Sequence, residues 1–170
     1  MKGNKISLRS MEPVDIELLY QWENTKENWH ISGTHAPFSK HILEQFVNSE
    51  NDIFINKQMR LMIVENVAKR VIGTIDLFEF DPLNRRAGVG ILIADSANRS
   101  KGFAKDALQV LIDYTFTVIN VHQLFCHVQE SNEASLRLFK GIGFKITGTK
   151  KDWSIQDGQW ENQHFLQYIK

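Results

Sequence analysis

Between an almost wholly apolar run, Ala87–Ala94, and a helical stripe starting near Ala104 lies the connection Asp95-Ser96-Ala97-Asn98-Arg99-Ser100-Lys101-Gly102-Phe103-Ala104. A basic, glycine-containing turn that leaves a buried strand and opens a helix gathers free backbone N–H groups at the positive end of the helix dipole. That is an anion site, and phosphate is its usual guest. Gly102 lets the backbone approach a ligand closely, Ala104 keeps the first helical turn slim, and Arg99 and Lys101 add charge suited to a polyphosphate. The same turn could equally be an ordinary strand–helix connection with cations on its surface. It is not a Walker P-loop, since no Gly-Lys-Ser/Thr follows a second glycine. It is not a dinucleotide fingerprint either, because Gly88-Val89-Gly90 lies inside the strand rather than after it.

Cysteine and histidine chemistry is sparse. Cys126 is the single cysteine, which excludes an internal disulfide framework and a thiolate-rich zinc site. Its apolar setting, Leu124-Phe125-Cys126-His127-Val128, predicts a buried strand thiol rather than a nucleophile, because burial raises a thiol pKa. His122 and His127 do not stand at metal-ligand spacing with each other or with Cys126, and no metal is expected.

The elements that must position this turn follow from the apolar periodicity. Ile6–Arg9 alternates as a first strand. Pro13 suits a first helical turn, and Ile16, Leu19 and Trp22 supply that helix's apolar stripe. Asn28–Phe38 has no periodicity and reads as a loop. Ser39 can cap a second helix carrying Ile42, Leu43, Phe46 and Val47. Strands follow at Arg60–Glu65, Val71–Phe80 and Ala87–Ala94, the last apolar enough to be covered on both faces. Ala104, Ala107, Leu108, Leu111, Ile112, Thr115, Phe116 and Ile119 form one unbroken helical stripe. Gln123–Gln129 is a further buried strand, and Asn132 can cap a short helix through Lys140, with Gly141 and Gly143 at its exit. Strands Phe144–Ile155 and Trp160–Ile169 close the chain around Asp157-Gly158, a hairpin signal. The predicted order is β-α-α-β-β-β-α-β-α-β-β, an α/β (α+β) mixed sheet with helices packed on it.

Composition limits the functions available. The 170 residues suit one domain, residues 1–170, and 42% hydrophobic content with balanced charge excludes wholesale disorder. Twenty Lys+Arg against twenty Asp+Glu argues against a protein that coats nucleic acid or an anionic membrane, both of which need clustered cationic excess. The polar N-terminus and the absence of an 18-residue apolar run predict no signal peptide and no membrane span, with the cytoplasm as the expected location.

Several spaced motifs, in order, carry a family resemblance. Arg99-Ser100-Lys101-Gly102-Phe103-Ala104 matches Q/R-x-x-G-x-G/A, the pyrophosphate-binding signature of the GNAT superfamily of N-acetyltransferases. About thirty residues later, Asn132-Glu133-Ala134-Ser135-Leu136-Arg137-Leu138-Phe139 and then Gly143-Phe144 resemble the segment that closes the coenzyme A site in that superfamily. Leu8-Arg9 with Asp15-Ile16, then Leu19–Asn24, are similar to the opening of its ribosomal-protein alanine and diamine (spermidine) acetyltransferase branch. Gly158-Gln159-Trp160-Glu161-Asn162 is similar to that branch's last hairpin. The likeness runs from Ile6 to Ile169.

The resemblance implies a single GNAT-like domain whose strands Ala87–Ala94 and Gln123–Gln129 splay apart around the pantetheine arm of acetyl-CoA, the co-substrate. Backbone groups of Leu92, Ile93 and Ala94 would pair with that arm. N–H groups from Ser100 through Lys101, Gly102, Phe103 and Ala104 would hold the pyrophosphate, with charge from Arg99. Asn132 would touch the coenzyme or serve purely as a helix cap, and Phe139 would pack beside the thioester sulfur or be only a core residue. The implied reaction is acetyl transfer to a primary amine in a ternary complex. The acceptor would be a small amine or polyamine, or alternatively a protein N-terminus. A catalytically silent acyl-CoA-binding sensor is the rival class. Partners would be a small-molecule amine, with no nucleic acid and no membrane, and a homo-oligomer is compatible with what many relatives form.

The chemistry sets further requirements. An amine with a pKa of about 10.4 must lose a proton before attack, which calls for a base. The oxyanion needs a backbone N–H, for which the splayed strand near Ile93 is the natural source. Relatives resembling bacterial spermidine acetyltransferase carry Tyr at the position of Phe139, and Phe cannot protonate a leaving thiolate. Ser135 is the remaining hydroxyl on that helix, either as acid or relay or as a solvated cap residue. Where the polyamine enzymes carry a strand Glu, this chain has Gly88. Asp76, Glu79, His30 and His35 could act as bases or be ordinary surface groups. Glu44, Glu50 and Asp52 could form a negative mouth for a cationic amine or a solvated helix face.

Overall fold

The computed structural model describes residues 1–32, 34, 36–49, 52–156 and 158–170, with the side chains of 30–32 outside that description. The strands are β1 (Ile6–Ser10), β2 (Met59–Glu65), β3 (Val71–Asp81), β4 (Arg86–Ile93), β5 (Gln123–Gln129), β6 (Lys145–Gln156) and β7 (Gln159–Ile169). They form one sheet in the order β1-β2-β3-β4-β5-β7-β6, antiparallel throughout except for the β4–β5 pair. Between β1 and β2 come α1 (Ile16–Glu23), α2 (Lys26–Ser32), α3 (Lys40–Asn48) and α4 (Ile53–Asn56). α5 (Phe103–Tyr114) joins β4 to β5, and α6 (Glu133–Ile142) joins β5 to β6.

Alternation along each strand sorts the side chains onto two faces. Leu61, Ile63, Ile75, Leu77, Ala87, Val89, Ile93, Leu124, Cys126 and Val128 point to one face. They meet the stripe of α5, where Phe103, Ala107, Leu108, Leu111 and Ile112 are all buried. Leu108 and Leu111 are fully buried, and each such side chain stabilises the fold by about 1.5–3 kcal/mol. The other face is smaller. Met62 packs there with Leu19 of α1 and Leu43 of α3.

The predicted helices form, with two additions and one change: the stripe expected to run unbroken to Ile119 leaves the α-helix after Tyr114 and finishes as a π-helical turn over Thr115–Ile119. Ser39 Oγ accepts from Ile42 N at 3.2 Å and opens α3 as expected. The loop expected over 28–38 instead begins inside α2. Trp29 Nε1 donates to Glu23 O at 2.7 Å and Asn28 Nδ2 to Trp22 O at 3.2 Å. α2 is thus tied by side chains to the end of α1 rather than announced by an apolar stripe. α4 is a single turn capped by Asp52, whose Oδ1 accepts from Phe54 N at 2.7 Å. At the exit of α6, Gly141 is still helical and Gly143 alone takes the left-handed conformation, φ 118°. Asp157 of the expected hairpin turn lies outside the described residues, but Gln156 pairs with Gln159 as that turn requires. Among the described residues no helix is long and apolar enough to cross a membrane.

The feature that matters for function is a fork in the sheet. β4 and β5 are in register over three pairs only, Arg86–Gln123, Ala87–Leu124 and Gly88–Phe125. Beyond them β4 stays zipped to β3 as far as Ile93, and β5 stays zipped to β7 as far as Gln129. Aromatic rings fill the crotch. Phe78 lies so close over Gly88 that a Cβ there would come within 2.3 Å of its ring. The same ring meets Phe125 edge-on at 5.9 Å.

Candidate active site

Two cavities open along the free edge of β4, one on each face of the sheet, and Ile91 and Leu92 line both. The first, about 490 Å³, is a groove between β4, the connection after it, the start of α5 and the first turn of α6. Asp95 Oδ1 accepts from Ala97 N at 2.8 Å and turns the chain sharply at the strand end. Ser100 (φ 60°) and Gly102 (φ 83°) are both left-handed, and Gly102 is the N-cap of α5. The leading N–H groups of a helix have no intrahelical acceptor. Here the residues that carry them, with Ser100 and Gly102, line the groove through Phe103 and Ala104.

The cations at this turn are distributed differently from expectation. Arg99 borders the groove, but its Nε donates to Ile93 O at 3.1 Å and its Nη2 to Ala94 O at 3.3 Å. The guanidinium therefore caps the open end of β4. Lys101 does not line the groove, and its carbonyl accepts from Lys5 Nζ at 2.8 Å. Lys5 Nζ also lies 3.3 Å from where a Gly102 Cβ would sit. Lys5 thus brings a cation to the turn from a hundred residues away, which no local pattern announces.

The free edge is shifted by one residue from the expected Leu92, Ile93 and Ala94. Ala94 N donates to Ile72 O at 3.1 Å. Backbone polar groups alternate sides along a strand, so those of Ala94 and Leu92 turn toward β3. Those of Ile93 and Ile91 turn toward the fork. Ile93 keeps its expected position, Ile91 joins it, and Leu92 contributes its side chain alone.

On α6, Asn132 Oδ1 accepts from Ser135 N at 3.1 Å. Asn132 is therefore a helix cap and a groove residue at once, its carbonyl end spent on the helix and its amide NH2 left over. Ser135 lines the groove beside it. Phe139 does not. It is 4% exposed and packs edge-on against Phe144 at 5.1 Å, inside the core.

The second cavity, about 330 Å³, lies on the face covered by α1, α2 and α3. Its charged centre is Arg60. The Nε of Arg60 donates to Asp76 Oδ1 at 2.6 Å and its Nη1 to Glu23 Oε1 at 2.5 Å, with the guanidinium over the Phe46 ring at 5.4 Å. Burial opposes the guanidinium's charge, but Asp76 and then Glu23 outweigh it and hold Arg60 protonated. Two carboxylates against one guanidinium leave the cluster a formal −1. Asp76 pairs across the sheet with Gly90, which has no side chain and forms the floor. On the far side of Gly90 stands His127, which borders the cavity.

Of the expected bases, Asp76 is thus engaged by Arg60, and Glu79 is exposed at a break in the β3–β4 register, with φ 48°. His35 and the His30 side chain lie outside the described residues, as does Glu50. Glu44 is exposed on α3 and Asp52 caps α4, and neither lines the cavity. Among the described residues the carboxylates that line this cavity are Glu23 and Asp76 instead. Cys126 is buried on the opposite face of β5, where burial pushes its thiol up to about 12. Among the described residues no group of His, Cys, Asp and Glu side chains is arranged to hold a metal ion.

Residues 5–145 match the acetyltransferase (GNAT) domain family. An uncharacterized N-acetyltransferase of Bacillus subtilis, YoaA, is 31% identical over 159 residues, 93% of this chain and 89% of that protein. The spermidine N(1)-acetyltransferase of Vibrio cholerae is 26% identical over 162 residues, 94% of this chain and 90% of its own. The crystal structure of a Vibrio cholerae spermidine N-acetyltransferase in complex with CoA and spermine superposes with a TM-score of 0.87 at 24% identity, covering 97% of this chain and 95% of that one, a likeness of fold. With the forked mixed sheet and the left-handed turn into α5, these matches settle the family: the chain belongs to the GNAT acetyltransferases, enzymes that move an acetyl group from acetyl-CoA to an amine.

Proposed function

We propose that this chain acetylates a small primary amine, a polyamine in particular, by direct attack within a ternary complex. The observation that carries the reading is the pair of cavities on opposite faces of the sheet, joined where Ile91 and Leu92 line both. A thioester held along the groove reaches the fork, and an amine held in the second cavity meets it from the other face. Proximity of that kind supplies much of the rate in a two-substrate reaction. The names of the Vibrio cholerae relative and its complex, spermidine and spermine, support a polyamine. So does the net negative charge of the Glu23–Arg60–Asp76 cluster.

In this reading the N–H groups of the turn from Ser100 to Ala104 bind the pyrophosphate, with Lys5 adding charge beside them. The outward N–H and C=O of Ile91 and the outward N–H of Ile93, whose carbonyl Arg99 holds, pair with the pantetheine arm. One outward N–H of that edge donates to the thioester carbonyl oxygen as it gains charge, the position where a fixed donor lowers the barrier most. Asn132 offers its amide NH2 to the arm. Ser135 offers its hydroxyl near the sulfur. A thiolate of pKa about 8.5, by analogy with cysteine, leaves without a tyrosine at position 139.

The test is a thiol-release assay with acetyl-CoA against polyamines, diamines, aminoglycosides, amino acids and short peptides. Highest kcat/KM on a polyamine is the expected outcome. Binding of acetyl-CoA without release on any amine would overturn the reading in favour of a silent sensor.

A further inference from the structure

We propose that His127 is the group that takes the proton from the attacking amine. The inference rests on the ternary-complex reading above and goes beyond it by assigning a residue that the motifs leave out. Three observations carry it. His127 lies on β5 two residues beyond Phe125, the last residue in register with β4. It therefore stands at the open part of the fork, on the same face as Phe125, and it lines the acceptor cavity across Gly90 from Asp76. Its Nδ1 is buried and has no hydrogen-bond partner. An orphaned buried nitrogen is costly, and native structures retain few of them without a use. Finally, its ring is held by aromatic neighbours on both strands, Phe125 at 5.8 Å and Phe165 at 5.2 Å. The imidazole is thus fixed in orientation with no polar partner of its own.

Among the described residues the other titratable groups lining the cavity are occupied. Glu23 and Asp76 both accept from Arg60. Lys150 from β6 and Glu79 from β3 act on the imidazole through space, in opposite senses. Burial first, then Lys150, hold His127 below the ordinary histidine value, and Glu79 only partly offsets them. The ring is therefore neutral at pH 7 and able to accept a proton, as a base must be.

The proton count closes. The acceptor arrives as an ammonium, and one N–H proton passes to a His127 ring nitrogen. The freed lone pair forms the C–N bond at the carbonyl carbon, and the C–S bond breaks with its electron pair on sulfur. The amide nitrogen gives its second surplus proton to that sulfur, directly or through water. The imidazolium returns its proton to solvent, so each turnover releases one proton, one thiol and one acetamide.

The experiment pairs His127→Gln kinetics with the histidine NMR spectrum of the wild-type protein. With the preferred amine, kcat of the variant should fall by about 10²–10⁴ at neutral pH, with coenzyme affinity unchanged in calorimetry. The deficit should shrink as pH rises toward the amine's own pKa. In the wild type, the amine with the highest kcat/KM in the panel, added to the CoA-bound protein, should shift the His127 ring resonance. A variant within about threefold of wild type across the pH range would overturn the assignment. So would an unmoved His127 resonance when that amine is saturating, a readout that stands even if the variant misfolds. Failure of the function reading is distinguishable, because it would leave the wild type itself without turnover on any amine.

Discussion

Arg60→Met tests whether the acceptor cavity is organised around one guanidinium. Arg60 donates to Asp76 through Nε (2.6 Å) and Nη2 (3.4 Å) and to Glu23 through Nη1 (2.5 Å). Methionine keeps an apolar stem but loses the guanidinium over the Phe46 ring and leaves two carboxylates facing one another. Breaking a fully buried ion pair costs about 3–5 kcal/mol. These side chains keep between 13% and 25% exposure, so water recovers part of that and about 2–3 kcal/mol is the expected loss. For a chain of this length each 1 kcal/mol lowers Tm by about 2–4 °C, giving a fall of about 4–12 °C in a thermal melt. Adding Glu23→Gln to Arg60→Met removes the like-charge conflict and should restore part of the loss, a coupling that a double-mutant cycle isolates. An unchanged Tm, or strictly additive losses in the double variant, would refute the clustered-charge account of this cavity.

Two further outcomes follow from the geometry. Gly102→Asp should abolish measurable coenzyme binding in calorimetry while the far-UV spectrum stays native. The position has φ 83°, so any side chain is strained there by about 1–2 kcal/mol, and a carboxylate would pair with the nearby Lys5 Nζ and repel a pyrophosphate bound as proposed. Stability should also fall on acidification. Burial pulls Asp15 toward neutrality, but the two-pronged contact with Arg9 (2.6 and 2.7 Å) and the N–H of Glu12 more than offset it, and the carboxyl sits below its ordinary value. A depressed folded pKa means this stabilisation is complete above the unfolded value of about 3.9 and disappears as pH falls through the folded one. Asp15→Asn should flatten that part of the Tm–pH curve, and an unchanged slope would refute the assignment.

The strands and the α5 stripe were legible because burial on one face enforces a period that the chain itself carries. Gln123–Gln129 falls on β5 at both ends. The turn into α5 was legible because positive φ and free N–H groups demand particular residue types locally. What escaped depends on contacts distant in sequence. α2 has no stripe and exists through bonds from Trp29 and Asn28 to α1. Lys5 reaches the turn through Lys101 O. Arg60 meets one carboxylate from α1 and one from β3, and nothing in their spacing pairs them. His127 did carry a signal. Its offset of two from Phe125 puts both rings on one face of β5, whereas metal-ligand spacing is silent about a lone base.

Gly88 and Phe78 show why the missing strand glutamate does not leave a hole. A side chain at position 88 would collide with the Phe78 ring, 2.3 Å from its Cβ, so the absence of one and the presence of the other are a single packing solution. The ring then meets Phe125, which meets His127 and Phe165 in turn. This apolar wall also contributes to the burial that holds the imidazole below its ordinary value. The negative charge available to a cation lies two pairs along the strands, at Asp76 opposite Gly90. The balanced net charge of the chain therefore conceals two local fields on opposite faces of the sheet. One is a helix terminus with Lys5 beside it, and the other is a carboxylate excess around Arg60. In the proposed reading each lies on the face where the charge of its own substrate calls for it, with the fork between β4 and β5 as the passage between them.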